Sequence, residues 1–164
     1  MKKIVIAVAT LIHLLPHAFG VSSVGALALY GGAFGNPRTS WLVPMLPLAL
    51  GLLVTGLYVP VVLAFVFAGY ALSTLAGRWF LRQARSLGRF GLAVGTGALI
   101  FYAISNFAIW LVGYYPPTLA GLVQCYINGL PFLGVAALAD AAYSFVLFGL
   151  HAWLARRETA PAHA

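Results

Sequence analysis

The stretch WLVPMLPLALGLLVTGLYVPVVLAFVFAGYALSTLAG, residues 41–77, is apolar almost without a break, and its reading decides the fold. As one helix it would be about 55 Å long, against a bilayer core of about 30 Å. Gly56 and Pro60 therefore read as a tight turn between two spanning helices, near 41–57 and 60–77. Outward from there, residues 4–20 follow Lys2 and Lys3, and the glycine-rich residues 21–35 form a short second run. Residues 91–113 and 132–155 bring the count of spans to six.

Composition points the same way. Of 164 residues, 63% are hydrophobic and 7% charged. A soluble domain carries about a quarter charged residues. With a mean hydropathy of +1.00, the chain belongs in the inner (plasma) membrane as a multi-pass protein. One integral domain, 1–157, is expected, with 158–164 as a disordered tail. The lone cysteine excludes an internal disulfide.

Nine lysines and arginines face two acidic residues. With the N-terminus in the cytoplasm, six crossings place Lys2, Lys3, Arg38, Arg78, Arg82, Arg85, Arg89, Arg156 and Arg157 on the cytoplasmic side. This is the positive-inside bias, and it gives an N-in, C-in topology. The net charge of +7 is thereby explained by topology, and nucleic acid is not expected as a partner. A rival reading takes the first twenty residues as a secretory signal cleaved near Ala18-Phe19-Gly20, which leaves five spans.

Arg78, Arg82, Arg85 and Arg89 are spaced by four, three and four, one face of a helix extending the fourth span. Such a face suits anionic lipid headgroups or a cytoplasmic partner. Small residues recur at intervals of four at Gly31 and Gly35, at Gly69, Ser73 and Gly77, and at Gly91 and Gly95. They predict close helix packing within the bundle.

Between the last two spans lies YYPPTLAGLVQCYINGLPF, residues 114–132. Pro116 and Pro117 end the fifth span, Thr118 caps a new helix, and Pro131 closes it. Over residues 118–130 this predicts a short amphipathic helix at the outer interface, with Thr118, Gly121, Gln124, Cys125 and Asn128 on one side. Asp140 is the only carboxylate inside a span, about 13 Å below its outer end. Burial there costs on the order of 3 kcal/mol, which marks it as a functional candidate. Asn106 sits at similar depth, with Tyr102, Trp110 and Tyr143 one turn from one or the other. His13 and His17 lie on the outer part of the first span. Each also has a structural reading: Asn106 bonding a neighbouring helix, Asp140 as a protonated residue bonded to Asn106 or a tyrosine, His13 as an interior histidine, Cys125 as an inert thiol.

The motifs PHAFGVSSVGALALYGGAFG, SNFAIW, YYPPTLAGLVQCYINGLPF and LADAAYSFVLFG resemble an uncharacterised family of small prokaryotic membrane proteins regarded as transport proteins. That family is similar in layout to the S-components of energy-coupling-factor (ECF) transporters. The resemblance covers most of residues 11–150. It implies an all-α bundle of six transmembrane helices that binds a vitamin-like nutrient from outside, beneath loops acting as a lid. Asn106, Tyr114, Tyr115, Cys125 and Asp140 match the family's recurrent positions. The chain departs from the family at Ala18, Phe19 and Gly20, where Pro-Pro-Asn is frequent, and at Val54 and Thr55, where an acid is frequent. His13 follows Ala9 where S-components that meet an ATP-driven module carry a second small residue.

The leading expectation is uptake of a small water-soluble nutrient through an outward-facing pocket. Asp140 pairs with a cationic or donor group, Asn106 orients it, and Tyr102, Trp110 and Tyr143 stack on a ring. His13, His17, Tyr114, Tyr115, Gln124, Cys125 and Asn128 complete the substrate-binding set, with Gly113, Gly121 and Gly129 as hinges. The expected partners are the ligand, membrane lipids and an ATP-driven coupling module. No catalytic residue, cofactor or metal is expected. One alternative is a non-transporting subunit or assembly factor whose arginine face recruits a partner. Another is an intramembrane enzyme pairing Cys125 with His13 or His17 as a thiolate–imidazole or soft-metal site, which no H-E-x-x-H or G-x-S-x-G motif supports.

Overall fold

The computed structural model describes residues 2–14, 21–55, 59–83 and 86–159. All regular structure among them is helical: α1 (Lys2–Leu14), α2 (Val24–Phe34), a 3-10 turn (Ser40–Leu42), α3 (Met45–Thr55), α4 (Pro60–Leu81), α5 (Leu87–Leu111) and α6 (Leu119–Thr159). Three of these, α4, α5 and α6, are long and apolar enough to cross a membrane. The chain is therefore a membrane protein. The helices α2 and α3, at 11 residues each, are about 16 Å long and fall short of a bilayer core as straight rods. The turn expected at Gly56, the segment carrying His17 and Ala18-Phe19-Gly20, and Arg85 lie outside the described residues.

The helix ends follow local chemistry. Pro60 opens α4 at its first turn, where its missing N–H would have had no intrahelical acceptor. Ser86 opens α5 by accepting from the Arg89 N–H at 3.3 Å. Gly113, at φ 88°, closes α5. Its N–H bonds Trp110 O at 3.1 Å and the Tyr114 N–H bonds Ile109 O at 3.4 Å, the paired bonds of a Schellman cap. Gly113 is thus the helix stop of α5. Thr118 caps α6 as expected, accepting from the Gly121 N–H at 3.1 Å.

Two sequence expectations are corrected here. Pro131 does not end a short helix; it lies inside α6, which runs for 41 residues. Only one backbone donor is lost at a proline, and in an apolar setting the chain gains most by keeping every other backbone group paired. Second, Arg78, Arg82 and Arg89 do not share one helix, because α4 stops at Leu81 and α5 starts anew behind the Ser86 cap. At its carboxyl end α6 continues to Thr159; Ala-Arg-Arg-Glu is good helix-forming sequence.

At the centre stands α2, buried on every side from Val24 to Ala33. One flank joins Val5 and Ala9 of α1 and Leu147 of α6 in a core cluster. The other joins Ala76 and Leu81 of α4 and Ala93 and Val94 of α5. Contact with α4 is backbone to backbone: a Cβ at Gly77 would overlap the Leu29 carbonyl, and one at Gly32 the Thr74 carbonyl. Ser73 Oγ lies 2.9 Å from Gly97 O and ties α4 to α5. Gly69, Ser73 and Gly77 are therefore a packing stripe, whereas Gly91 and Gly95 have nothing within 4 Å of a Cβ.

Arg78, Arg82, Arg89, Arg156 and Arg157 lie toward one end of the bundle. Phe90 meets Phe148 and Phe34 stacks on His151, so α2 and α6 end where α5 begins. Pro37 shares a cleft with Arg78 and Arg82. Large apolar side chains face outward along the flanks, Leu53, Leu138 and Phe145 being 83%, 74% and 73% exposed. Acyl chains are the natural solvent for such surfaces.

Candidate functional site

The site forms where α6 crosses the first turn of α2. A helix start leaves its first N–H groups without intrahelical acceptors. The residue before α2, Ser23, would ordinarily supply one, but its hydroxyl donates instead to Ala9 O on α1 at 3.0 Å. Ser22 Oγ serves the turn, accepting from the Val24 N–H at 3.2 Å. The Asp140 carboxyl group comes from another helix to lie against the same turn, at Gly25, where the positive end of the helix dipole favours an acid. The approach is so close that a Cβ at Gly25 would overlap both carboxylate oxygens.

Around this contact lie Tyr143, packed against the Val5–Ala9–Leu27 cluster, and His13, whose Nδ1 is 3.3 Å from Ser22 Oγ. A Cβ at Gly51 of α3 would come within 2.9 Å of His13 Nε2. One turn beyond Asp140, Ser144 is fully buried, and its hydroxyl has no hydrogen-bond partner among the described residues. Farther along the same α6 face, His151 Nδ1 meets the Tyr30 hydroxyl of α2 at 2.5 Å. A polar line of Asp140, Ser144 and His151 therefore follows the seam between α2 and α6.

The other expected site residues form a separate group between α5 and the start of α6. Asn106 donates to Tyr102 O on its own helix at 2.9 Å. The Cys125 thiol donates to Asn106 O at 3.3 Å, and Gly129 abuts the Asn106 carboxamide. Two tyrosines cross-link the helices: Tyr102 Oη donates to Tyr126 O at 2.5 Å and Tyr126 Oη to Ala103 O at 2.6 Å. Trp110 Nε1 donates to Pro116 O at 3.0 Å. Gln124 donates to Asn128 at 2.8 Å, and Asn128 to the Tyr115 hydroxyl at 3.1 Å. Both amides are exposed, as is Tyr114.

The sequence placed Asn106 and Asp140 in one pocket; the structure separates them. Asn106 packs at Gly129, and Asp140 follows eleven residues later on the same helix, about 16 Å along its axis. The buried face of the 118–130 segment is Gly121, Cys125 and Gly129, three small side chains at spacing four that seat α6 on the adjoining chain. Gly121 abuts the Pro116 carbonyl. Close packing requires glycine at both positions. Sequence reasoning missed Gly25, Ser144 and Tyr30. Ser144 was signalled by its place four residues after Asp140, on the same helical face; nothing in the sequence pairs Gly25 with α6.

Chemically, Asp140 offers a carboxyl group inside the bundle, against the first turn of α2, with no ion-pair partner among the described residues. Such a group suits a proton, a cation or a donor group of a solute. Among the described residues, no group of three or more His, Cys, Asp or Glu could hold a metal ion. Residues 2–162 match a family described as a family of unknown function, DUF6580. No curated protein and no solved structure matches the chain. Neither comparison shows a likeness to ECF S-components. The match takes in nearly the whole chain, and the protein belongs to the DUF6580 family.

Proposed function

We propose that the protein is a multi-pass plasma-membrane carrier that takes up a small water-soluble solute bearing a cationic or hydrogen-bond-donating group. Asp140 is its counter-ion. The observation that carries this reading is the meeting of the Asp140 carboxylate with the first turn of α2, a helix that begins inside the bundle. Carriers commonly build their sites from interrupted helices and intramembrane acids near mid-membrane. His13, Ser22, Tyr143 and Ser144 supply the polar surroundings. The basic end is cytoplasmic in this reading, which is the N-in, C-in, six-crossing arrangement of an S-component-like protein. Energy comes from an ion gradient or an ATP-driven partner.

A second reading is favoured by the same contact. If Asp140 exists to cap α2, the protein is a non-transporting subunit that recruits a partner through its basic end. Asp140→Asn separates the two, because an asparagine oxygen still caps a helix while the charge is lost. Native mass spectrometry and thermal unfolding of both forms in detergent, across a panel of vitamins and cationic nutrients, make the test. A small mass held by the wild type and lost from a folded Asp140→Asn supports the carrier. No bound mass and no stabilisation in either form overturns it.

A further inference from the structure

We propose that the cleft between the end of α4 and the turn after α2 binds the phosphate headgroup of an anionic phospholipid. The cleft has a volume of about 430 Å³ and is lined by Pro37, Arg78, Trp79, Arg82 and Gln83, within the size range of small-ligand sites. Arg78 lies in the last turn of α4, and Arg82, the residue that caps it, keeps helical backbone angles (φ −72°, ψ −42°), so at a spacing of four the two side chains emerge on one side. A pair of guanidinium forks matches phosphate oxygens in a way that ammonium groups do not. Gln83 adds an amide donor at the rim.

Charge accounting shows why the ligand must come from outside the chain. There are nine lysines and arginines and two carboxylates. Asp140 is engaged at the start of α2, and Glu158 lies directly after Arg156 and Arg157 at the far end of α6. The cleft itself contains no acid. It also sits at the carboxyl end of α4, where the negative helix pole holds cations in place but does not neutralise them.

A lipid is favoured over a soluble phosphate by what surrounds the arginines. Trp79 is 63% exposed beside them, and Leu87, opening α5 at the same end, is 87% exposed. An indole and an aliphatic side chain in the open suit the headgroup level of a bilayer, where hydrocarbon lies next to phosphate. Basic pockets between membrane helices are the sites that bind such headgroups. A soluble anion would make no use of that apolar rim.

The test uses the full chain, delipidated in detergent. Thermal unfolding is followed in mixed micelles containing cardiolipin, phosphatidylglycerol or phosphatidylcholine, with inorganic phosphate as the soluble arm. The anionic lipids are expected to raise the wild-type midpoint, and phosphatidylcholine and inorganic phosphate to leave it unchanged. The Arg78→Gln/Arg82→Gln form is expected to bind about thirtyfold more weakly, whereas Arg156→Gln/Arg157→Gln, basic but outside the cleft, responds like wild type. Equal loss in both pairs would overturn the proposal, since any basic residue at that end would then serve. An equal response to inorganic phosphate would overturn the lipid assignment. Should the double Gln form not fold, Arg82→Lys replaces it, with weakened lipid response expected and an unchanged one counting against the site.

Discussion

The Asp140 carboxylate occupies the space in which a side chain at Gly25 would stand. Two residues far apart in sequence therefore share one volume at the start of α2. Gly25→Ala should push the carboxyl group off the first turn of α2 and cost about 1–3 kcal/mol, as overpacked cores do. In a double-mutant cycle with Asp140→Ala the costs should be strongly non-additive, because removing the carboxylate vacates the space. Thermal unfolding of the four forms gives the coupling directly. Additive losses would mean that the two positions do not compete.

Ser144 offers a test in the opposite direction. Its hydroxyl is buried without a partner among the described residues, and such a group costs about 1–3 kcal/mol of desolvation. Ser144→Ala should thus leave the empty protein as stable as wild type or more so. If the hydroxyl serves the solute, ligand-induced stabilisation should shrink in the same variant. Melting curves with and without ligand read both quantities.

The Tyr30–His151 contact should behave as a buried pair. Phe34 stacks on the His151 ring at 3.8 Å between centroids, so the imidazole stays fixed when the tyrosine oxygen is removed. Tyr30→Phe should cost about 1–3 kcal/mol through loss of that buried bond. A denaturation midpoint equal to wild type would show that the bond contributes nothing net.

Cys125 should be silent to thiol reagents in the folded protein. Its side chain is 2% exposed and its thiol is turned toward Asn106 O, whereas reactive thiols are accessible and sit in electropositive surroundings. A maleimide dye should label it only as the protein unfolds, so the single cysteine reports the melting transition without engineering. Rapid labelling at low temperature would count against the described packing of α5 on α6.

How far the sequence could be read depended on what each feature needs. Helices α4 and α5 were legible because their apolar runs and end signals are local, as was Thr118, whose capping partner is three residues away. Pro131 misled because a proline's effect on a helix depends on its solvent, and lipid leaves the chain no better place for its backbone groups. The arginine face misled for a similar reason: spacing alone cannot see that Ser86 begins a new helix. Asp140 stood out as an intramembrane acid, but depth along a span does not reveal which neighbour faces it. Its pairing with α2 comes from helix register, set by contacts such as Gly77 on Leu29 and Gly32 on Thr74.

The all-round burial of α2 has a consequence for biosynthesis. At 11 residues it is too short for the insertion machinery to recognise as a span by itself. Its walls come in part from α1, made before it, but mostly from α4, α5 and α6, all made later in the chain. Asp140, Leu147 and His151, which close its last side, are among the last of these to emerge. A ribosome stalled before them would leave the core helix open, and premature termination should deliver the chain to membrane proteases instead of yielding a partly working protein.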